Sequence, residues 1–183
     1  ERVKKSLIML GIPEEKIVVR PVPIDVEKIK IYISKINLQE KYPGFEKIFL
    51  CLGRLDPVKN ISWLIDIFAE VVKKKPGYFL LIVGEGVERV NLKLQTKNLK
   101  LDENVMFEDW TLEPLSYIKT ADCVLFPSLS ESYGLVVMES NIAGTPIIMN
   151  DVGVANYELK PSDKVKILPV NDKEKWIETI LKL

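Results

Sequence analysis

Residues 47–86 read KIFLCL-GRLDPVKN-ISWLIDIFAEVVKKK-PG-YFLLIV-GEG, and the order of these pieces decides the fold. Two short apolar runs, Ile48 to Leu52 and Phe79 to Val83, flank a segment in which Ile61, Leu64, Ile65, Phe68 and Val72 recur at helical spacing. Continuously apolar strands are buried on both faces, which is the habit of parallel sheets, and a parallel pair needs a crossover of this length between its strands. Pro76-Gly77 ends the helix and Gly84 ends the second strand.

The same alternation continues to the C-terminus, the signature of repeated βα units. Further strands are expected at Val105 to Phe107, Cys123 to Phe126, Pro146 to Met149 and Val165 to Leu168. Helices are expected at Gly86 to Leu99, Thr111 to Thr120, Leu135 to Ala143 and Asn171 to Lys182, the last opening with an Asn171/Glu174 capping box. The pattern predicts an α/β fold: a doubly wound parallel sheet of about six strands with helices on both faces. Its ligand crevice would lie outside the carboxyl ends of the strands, where the strand order reverses.

Upstream the reading is less uniform. Val3, Leu7, Ile8 and Leu10 ahead of Gly11 form a helix tail, Ile17-Val18-Val19 reads as a short strand, and Arg20-Pro21-Val22-Pro23-Ile24-Asp25 as an extended linker. Residues 26–46 fit two patterns, because Ile29, Ile31 and Ile33 alternate like a strand while Ser34 to Lys41 fits a helix.

Composition excludes several classes. The chain has 183 residues, with 26 Lys plus Arg against 26 Asp plus Glu, so no net field draws it to nucleic acid or an anionic membrane. Its longest apolar run falls far short of the roughly 20 residues that span a bilayer. It has no His, which excludes a Ser/His/Asp triad, a Cys/His pair and His-ligated zinc within it. Cys51 and Cys123 sit in apolar runs and read as reduced core thiols of a cytosolic protein. The start at Glu1 and the end inside a helix suggest a piece of something longer.

Three loops at strand ends are chemically informative. Gly53 to Asn60 lacks the Gly-x-Gly-x-x-Gly turn of dinucleotide enzymes but carries Arg54 and Lys59, which either neutralise a diphosphate from two sides or are solvated and paired with Asp56. Pro127 to Gly134 leads into a helix start whose N–H groups lack internal partners and form an anion site. Glu139, on an apolar helix, needs donors if buried, and ribose hydroxyls would supply two; Glu131 enters the same crevice from its mouth. Either glutamate has a lysine as its alternative partner. Gly84-Glu85-Gly86 is a weaker signal, and Lys73-Lys74-Lys75 reads as the solvated end of a helix.

The ordered set Gly53-Arg54-Leu55 with Lys59-Asn60, Val83-Gly84-Glu85-Gly86, Ala121-Asp122 to Pro127-Ser128, Ser-Glu-Ser-Tyr-Gly-Leu-Val-Val-Met-Glu from Ser130 to Glu139, and Ala143-Gly144-Thr145-Pro146 resembles the C-terminal domain of GT-B family 4 (group 1) glycosyltransferases. The resemblance covers roughly residues 3–183. It implies a Rossmann-like nucleotide-sugar-binding domain at 47–183, a variable lead-in at 26–46, and the end of the interdomain connection at 1–25. By the same resemblance Arg54, Lys59 and Glu131 serve catalysis. Gly53, Gly84, Gly134, Leu135, Val136 and Glu139 hold a UDP- or GDP-sugar, with Glu139 on the ribose. The implied enzyme is a retaining, metal-independent transferase of glycolipid or polysaccharide biosynthesis, with no cofactor besides its nucleotide-sugar donor. Its acceptor, a glycan or glycolipid, would be held by an N-terminal domain, and the full-length enzyme would work in the cytoplasm, with peripheral attachment to the cytosolic face of the membrane. The isolated piece is expected to be inactive. Departures from the family pattern are Val22 for an Asn, Asp109 for a Gly near the base, and Gly153-Val154 ahead of Glu158 for Gly-Gly. Two other readings compete: a sugar-nucleotide epimerase of the same architecture, and a non-catalytic Rossmann-like nucleotide-binding or interaction module.

Overall fold

A computed structural model describes residues 2–183. The apolar runs at Ile48 to Leu52 and Phe79 to Val83 are strands β1 (Lys47–Leu52) and β2 (Tyr78–Val83), paired in parallel from Lys47 opposite Tyr78 to Leu52 opposite Val83. Between them α4 (Ile61–Lys74) buries Ile61, Leu64, Ile65, Ile67, Phe68 and Val71, while Val72, expected on that stripe, packs only in part. Full burial of such side chains is worth about 1.5–3 kcal/mol each, so this stripe alone commits the unit to its fold.

Four more strands follow: β3 (Val105–Glu108), β4 (Cys123–Phe126), β5 (Ile147–Asn150) and β6 (Val165–Leu168). All neighbours are parallel and the order is β3-β2-β1-β4-β5-β6. The chain therefore winds outward twice from the centre, and the reversal falls between β1 and β4. One face packs Phe49, Leu80, Ile82 and Ile148 under α4, α5 (Arg89–Asn98) and α8 (Lys173–Leu181). The other packs Ile48, Leu50, Phe79, Leu81 and Val83 under α3 (Leu38–Lys41) and α6 (Pro114–Thr120). A third cluster lies under α7 (Leu135–Ala143). Asp122 sets the start of the switch point: its carboxylate accepts from the Ile48 N–H at 2.8 Å and its own N–H donates to the Ile48 carbonyl at 2.9 Å.

Upstream lie α1 (Arg2–Met9), closed by Gly11 at φ +86, then α2 (Val26–Ile31) and α3. Residues 26–46 hold two short helices, at Val26–Ile31 and Leu38–Lys41. Asp25 caps α2 by accepting from the Lys28 N–H at 2.9 Å, and Asn37 caps α3 by accepting from the Gln39 N–H at 3.0 Å. The alternation of Ile29, Ile31 and Ile33 is incidental, since only Ile29 is buried.

Two expectations fail. Ile17-Val18-Val19 is no strand, because no neighbouring chain offers a ladder and Val18 and Val19 stand exposed. The cap of α8 is Asp172, which accepts from the Lys175 N–H at 3.0 Å, whereas Asn171 takes the left-handed conformation at φ 62. Both residues are cap formers, and Asn is one of the few residues besides Gly that visit the left-handed region, which leaves the cap to Asp172. Cys51 and Cys123 are free and buried, as their apolar context predicts.

Candidate functional site

The switch point brings together the carboxyl ends of β1 and β4. The β1 loop leaves the sheet at Gly53, φ +152, and crosses the β2 loop at backbone distance. A Cβ on Gly84 would sit 2.0 Å from the Gly53 carbonyl oxygen, and one on Gly86 would sit 2.4 Å from that of Leu55. The loops are stitched by Gly53 N–H to the Val83 carbonyl at 3.0 Å and Leu55 N–H to that of Glu85 at 2.8 Å. Gly84 and Gly86 thus serve contact between loops, a constraint that their place after a strand does not reveal. Gly53 has nothing within 4 Å of its open side.

Arg54 and Lys59 part company. Arg54 stands at the mouth, its side chain 77% exposed, 2.8 Å from the Asp56 carboxylate. Lys59 lies deeper, over the Phe126 ring at 5.6 Å, and pairs with Glu131 of the β4 loop; the two side chains are only 20% and 13% exposed. The ion-pair alternatives for these residues are therefore the ones the structure holds: Arg54 with Asp56, Glu131 with a lysine. The β1 and β4 loops also meet through the Leu129 N–H, which donates to the Val58 carbonyl at 2.8 Å.

Helix α7 starts at the far wall. Gly134 is its N-cap, left-handed at φ 101, and no side chain caps it, so the N–H groups of its first turn remain for an anion. Leu135 is exposed and Val136 half-buried. One turn down, Glu139 is half-buried and has no hydrogen bond or ion pair with any described residue. Burial pushes its carboxyl above the usual carboxylate range, with no compensating cation. Its carboxylate oxygens still reach solvent, where they can accept hydrogen bonds.

Several supporting residues carry no signal of their own in the sequence. Arg89 donates to the carbonyls of Gly84 at 2.7 Å and Glu108 at 3.2 Å and pairs with Asp109 at 2.5 Å, which pins the ends of β2 and β3 where the family pattern has a Gly. Glu108 gathers Lys41 and Tyr117, each at 2.6 Å, with Tyr42; burial would raise its carboxyl, but these donors hold it below the usual range. Glu158 is exposed and accepts from the Tyr133 hydroxyl at 2.7 Å, and burial followed by that contact pushes the hydroxyl up to about 12. Arg2 ties α1 to the loop after β5, pairing with Asp151 and donating to the carbonyls of Gly153 at 3.2 Å and Ala155 at 3.1 Å. A cleft of about 540 Å³ opens between α1 and the β4 and β5 loops, with Glu131 in its wall.

The loops at the carboxyl ends of β1 and β4 thus carry a half-buried, ion-paired cation, and the helix that follows has a start without a side-chain cap and, one turn on, a half-buried carboxylate with no partner among the described residues, chemistry complementary to an anion and to hydroxyls. The family follows from comparison with known proteins: the model "Glycosyl transferases group 1" matches residues 34–183, and the chain belongs to that family. The alpha-monoglucosyldiacylglycerol synthase of Streptococcus pneumoniae is 35% identical over 149 residues, which cover 80% of this chain and 32% of the relative. HepE of Anabaena, solved with UDP and glucose, matches 98% of this chain and 50% of its own at 21% identity and a TM-score of 0.85. The C-terminal domain of a group 1 glycosyl transferase, LpcC, from Francisella tularensis matches 86% of both chains at 18% identity and a TM-score of 0.73. This chain spans a quarter to a half of the length of the first curated relatives it matches, consistent with the C-terminal domain of a GT-B enzyme.

Proposed function

We propose that this chain is the donor-binding half of a retaining, metal-independent glycosyltransferase of glycolipid or polysaccharide biosynthesis. The observation that carries the reading is Glu139, a half-buried carboxylate without a partner among the described residues, one helical turn below the start of α7, which has no side-chain cap. A nucleoside diphosphate supplies both missing complements, since its ribose hydroxyls donate to a carboxylate and its phosphates accept from N–H groups. HepE, solved with UDP and glucose, has the same fold.

In this reading Lys59 and the N–H groups of Gly134 and Leu135 receive the diphosphate and stabilise the charge that grows on it as the glycosidic bond breaks. Cations and N–H groups supply that stabilisation without a metal. Arg54, at the mouth, swings from Asp56 to the outer phosphate. Glu131 exchanges its ion pair with Lys59 for the hydroxyls of the donor sugar, so the sugar lies beside the cleft under α1. The acceptor enters there from the other domain of the enzyme, at the cytosolic face of the membrane. No helix among the described residues is long and apolar enough to cross a membrane, and attachment is peripheral in this reading. Val3, Met9, Leu10 and Val18 are exposed apolar residues, and in this reading they serve contact with that other domain. Calorimetric titration with UDP, GDP, ADP and their sugar conjugates tests the proposal. Saturable binding of one of them at micromolar to low millimolar strength supports it, and no binding at 10-fold higher ligand by a folded chain refutes it.

A further inference from the structure

We propose that Asn150, held by the indole of Trp176, is a positioning residue that sets the β4 loop for donor binding; the binding half of this proposal rests on the donor-site reading above. Asn150 is the last residue of β5 and fully buried. A buried amide is costly unless every polar atom is met, and here each one is. Its Nδ2 donates to the carbonyls of Pro127 at 2.6 Å and Ser128 at 3.1 Å, and its Oδ1 accepts from the Trp176 indole N–H at 3.1 Å. The indole nitrogen can only donate, so it fixes which end of the amide faces the two carbonyls.

The location gives this its meaning. The β4–β5 ladder pairs Phe126 with Met149 and goes no further. Where the backbone ladder stops, the Asn150 side chain takes over and holds the next two carbonyls of the departing strand. Three residues on, Glu131 meets Lys59, and six residues on, Gly134 opens α7. Trp176 is itself wedged edge-on against Trp63 of α4, ring centres 5.5 Å apart, two residues after that helix begins at Ile61. Asn60, just ahead, donates from its Nδ2 to the Asn171 Oδ1 at 3.2 Å near the start of α8. The C-terminal helix therefore keys both walls of the crevice to one buried amide. An apolar residue at position 150 would fill the same space and leave the loop carbonyls without a fixed direction.

The test uses Asn150→Leu, which keeps volume and deletes all three contacts, and Trp176→Phe, which keeps an aromatic edge on Trp63 and deletes only the N–H. A core variant, Ile65→Val, which trims a buried side chain of α4 and touches none of the three Asn150 hydrogen bonds, supplies a control for general loss of stability. Amide hydrogen exchange is followed at Leu129 to Gly134 and in β1 and β2, and each variant is titrated with the nucleoside diphosphate that the wild type binds tightest. Both Asn150 and Trp176 variants should speed exchange at 129–134 at least tenfold beyond the Ile65→Val control, with β1 and β2 unchanged. Nucleoside diphosphate affinity should fall about tenfold or more in Asn150→Leu, the size expected when binding groups shift by about 1 Å. Exchange at 129–134 equal to the control overturns the proposal, as does faster exchange with control-like affinity. If Asn150→Leu does not fold, Trp176→Phe decides by the same two readings. If the wild type binds no nucleoside diphosphate, the donor-site reading falls and the exchange pattern alone upholds or overturns the hold of Asn150 on the loop.

Discussion

Alanine at Gly84 should damage this fold far more than alanine at Gly53, although both glycines end apolar strands and both have positive φ, +145 and +152. The backbone penalty for a side chain in that region is shared, about 1–2 kcal/mol. The difference is steric. At Gly53 a Cβ meets nothing within 4 Å, while at Gly84 it lands 2.0 Å from the carbonyl oxygen of Gly53, a residue whose N–H is held by the Val83 carbonyl. Forcing the loops apart adds overpacking of roughly 1–3 kcal/mol. With unfolding entropy near ~2.1 cal/mol/K per residue and 183 residues, 1 kcal/mol moves Tm by about 2–3 °C. Gly53→Ala should then lose about 4 °C and Gly84→Ala about 9 °C by calorimetry at matched pH and salt. Equal losses in the two variants would refute the close approach of the β1 and β2 loops.

Other expectations follow from the crevice. Glu139→Gln should raise Tm at pH 7 and lower nucleoside diphosphate affinity about 10- to 100-fold. Because burial raises the folded-state carboxyl above its unfolded value, the wild type loses stability as pH climbs past about 4.5, so the gain in the variant should vanish below pH 4; a gain that persists there contradicts the cause assigned. Lys59→Met should lower Tm by leaving Glu131 largely buried and unpaired, at about 1–3 kcal/mol. The double variant with Glu131→Leu should recover most of that Tm without recovering affinity, as thermal scans and titration of both proteins will show. Cys51, its thiol pushed up to about 12 by burial despite nearby Lys59, should resist iodoacetamide at pH 8 until the chain unfolds, as should buried Cys123. Mass spectrometry that finds either one alkylated in the folded protein would contradict the packing.

The centre of the sheet is legible in the sequence because β1, β2 and β4 carry unbroken apolar runs followed by Gly53, Gly84 and Pro127, a pattern that leaves little choice of boundary. The strand ends agree within one residue. Elements held by local chemistry against a neighbour are not legible that way. Ile17-Val18-Val19 has strand composition and no partner strand, and adjacent Asn171 and Asp172 differ only in which of them finds a free N–H. At the site, Glu139 is readable because a carboxylate on an apolar helix is anomalous by itself. The opposite fates of Arg54 and Lys59 depend on where Asp56 and Glu131 stand in space, and spacing along the chain holds no record of that. Asn150 is invisible for the same reason: a polar residue at a strand end is ordinary until its three partners are seen.

The central claim, that Glu139 waits for the ribose of a nucleoside diphosphate, is tested most directly by a thermodynamic cycle. The wild type and Glu139→Gln are each titrated with the nucleoside diphosphate that binds best and with its 2′-deoxy form. The account predicts that the wild type discriminates against the deoxy ligand about tenfold or more, the scale of a hydrogen bond to a charged group, and that Glu139→Gln loses most of this discrimination. Equal discrimination in both proteins, with binding intact, would contradict it.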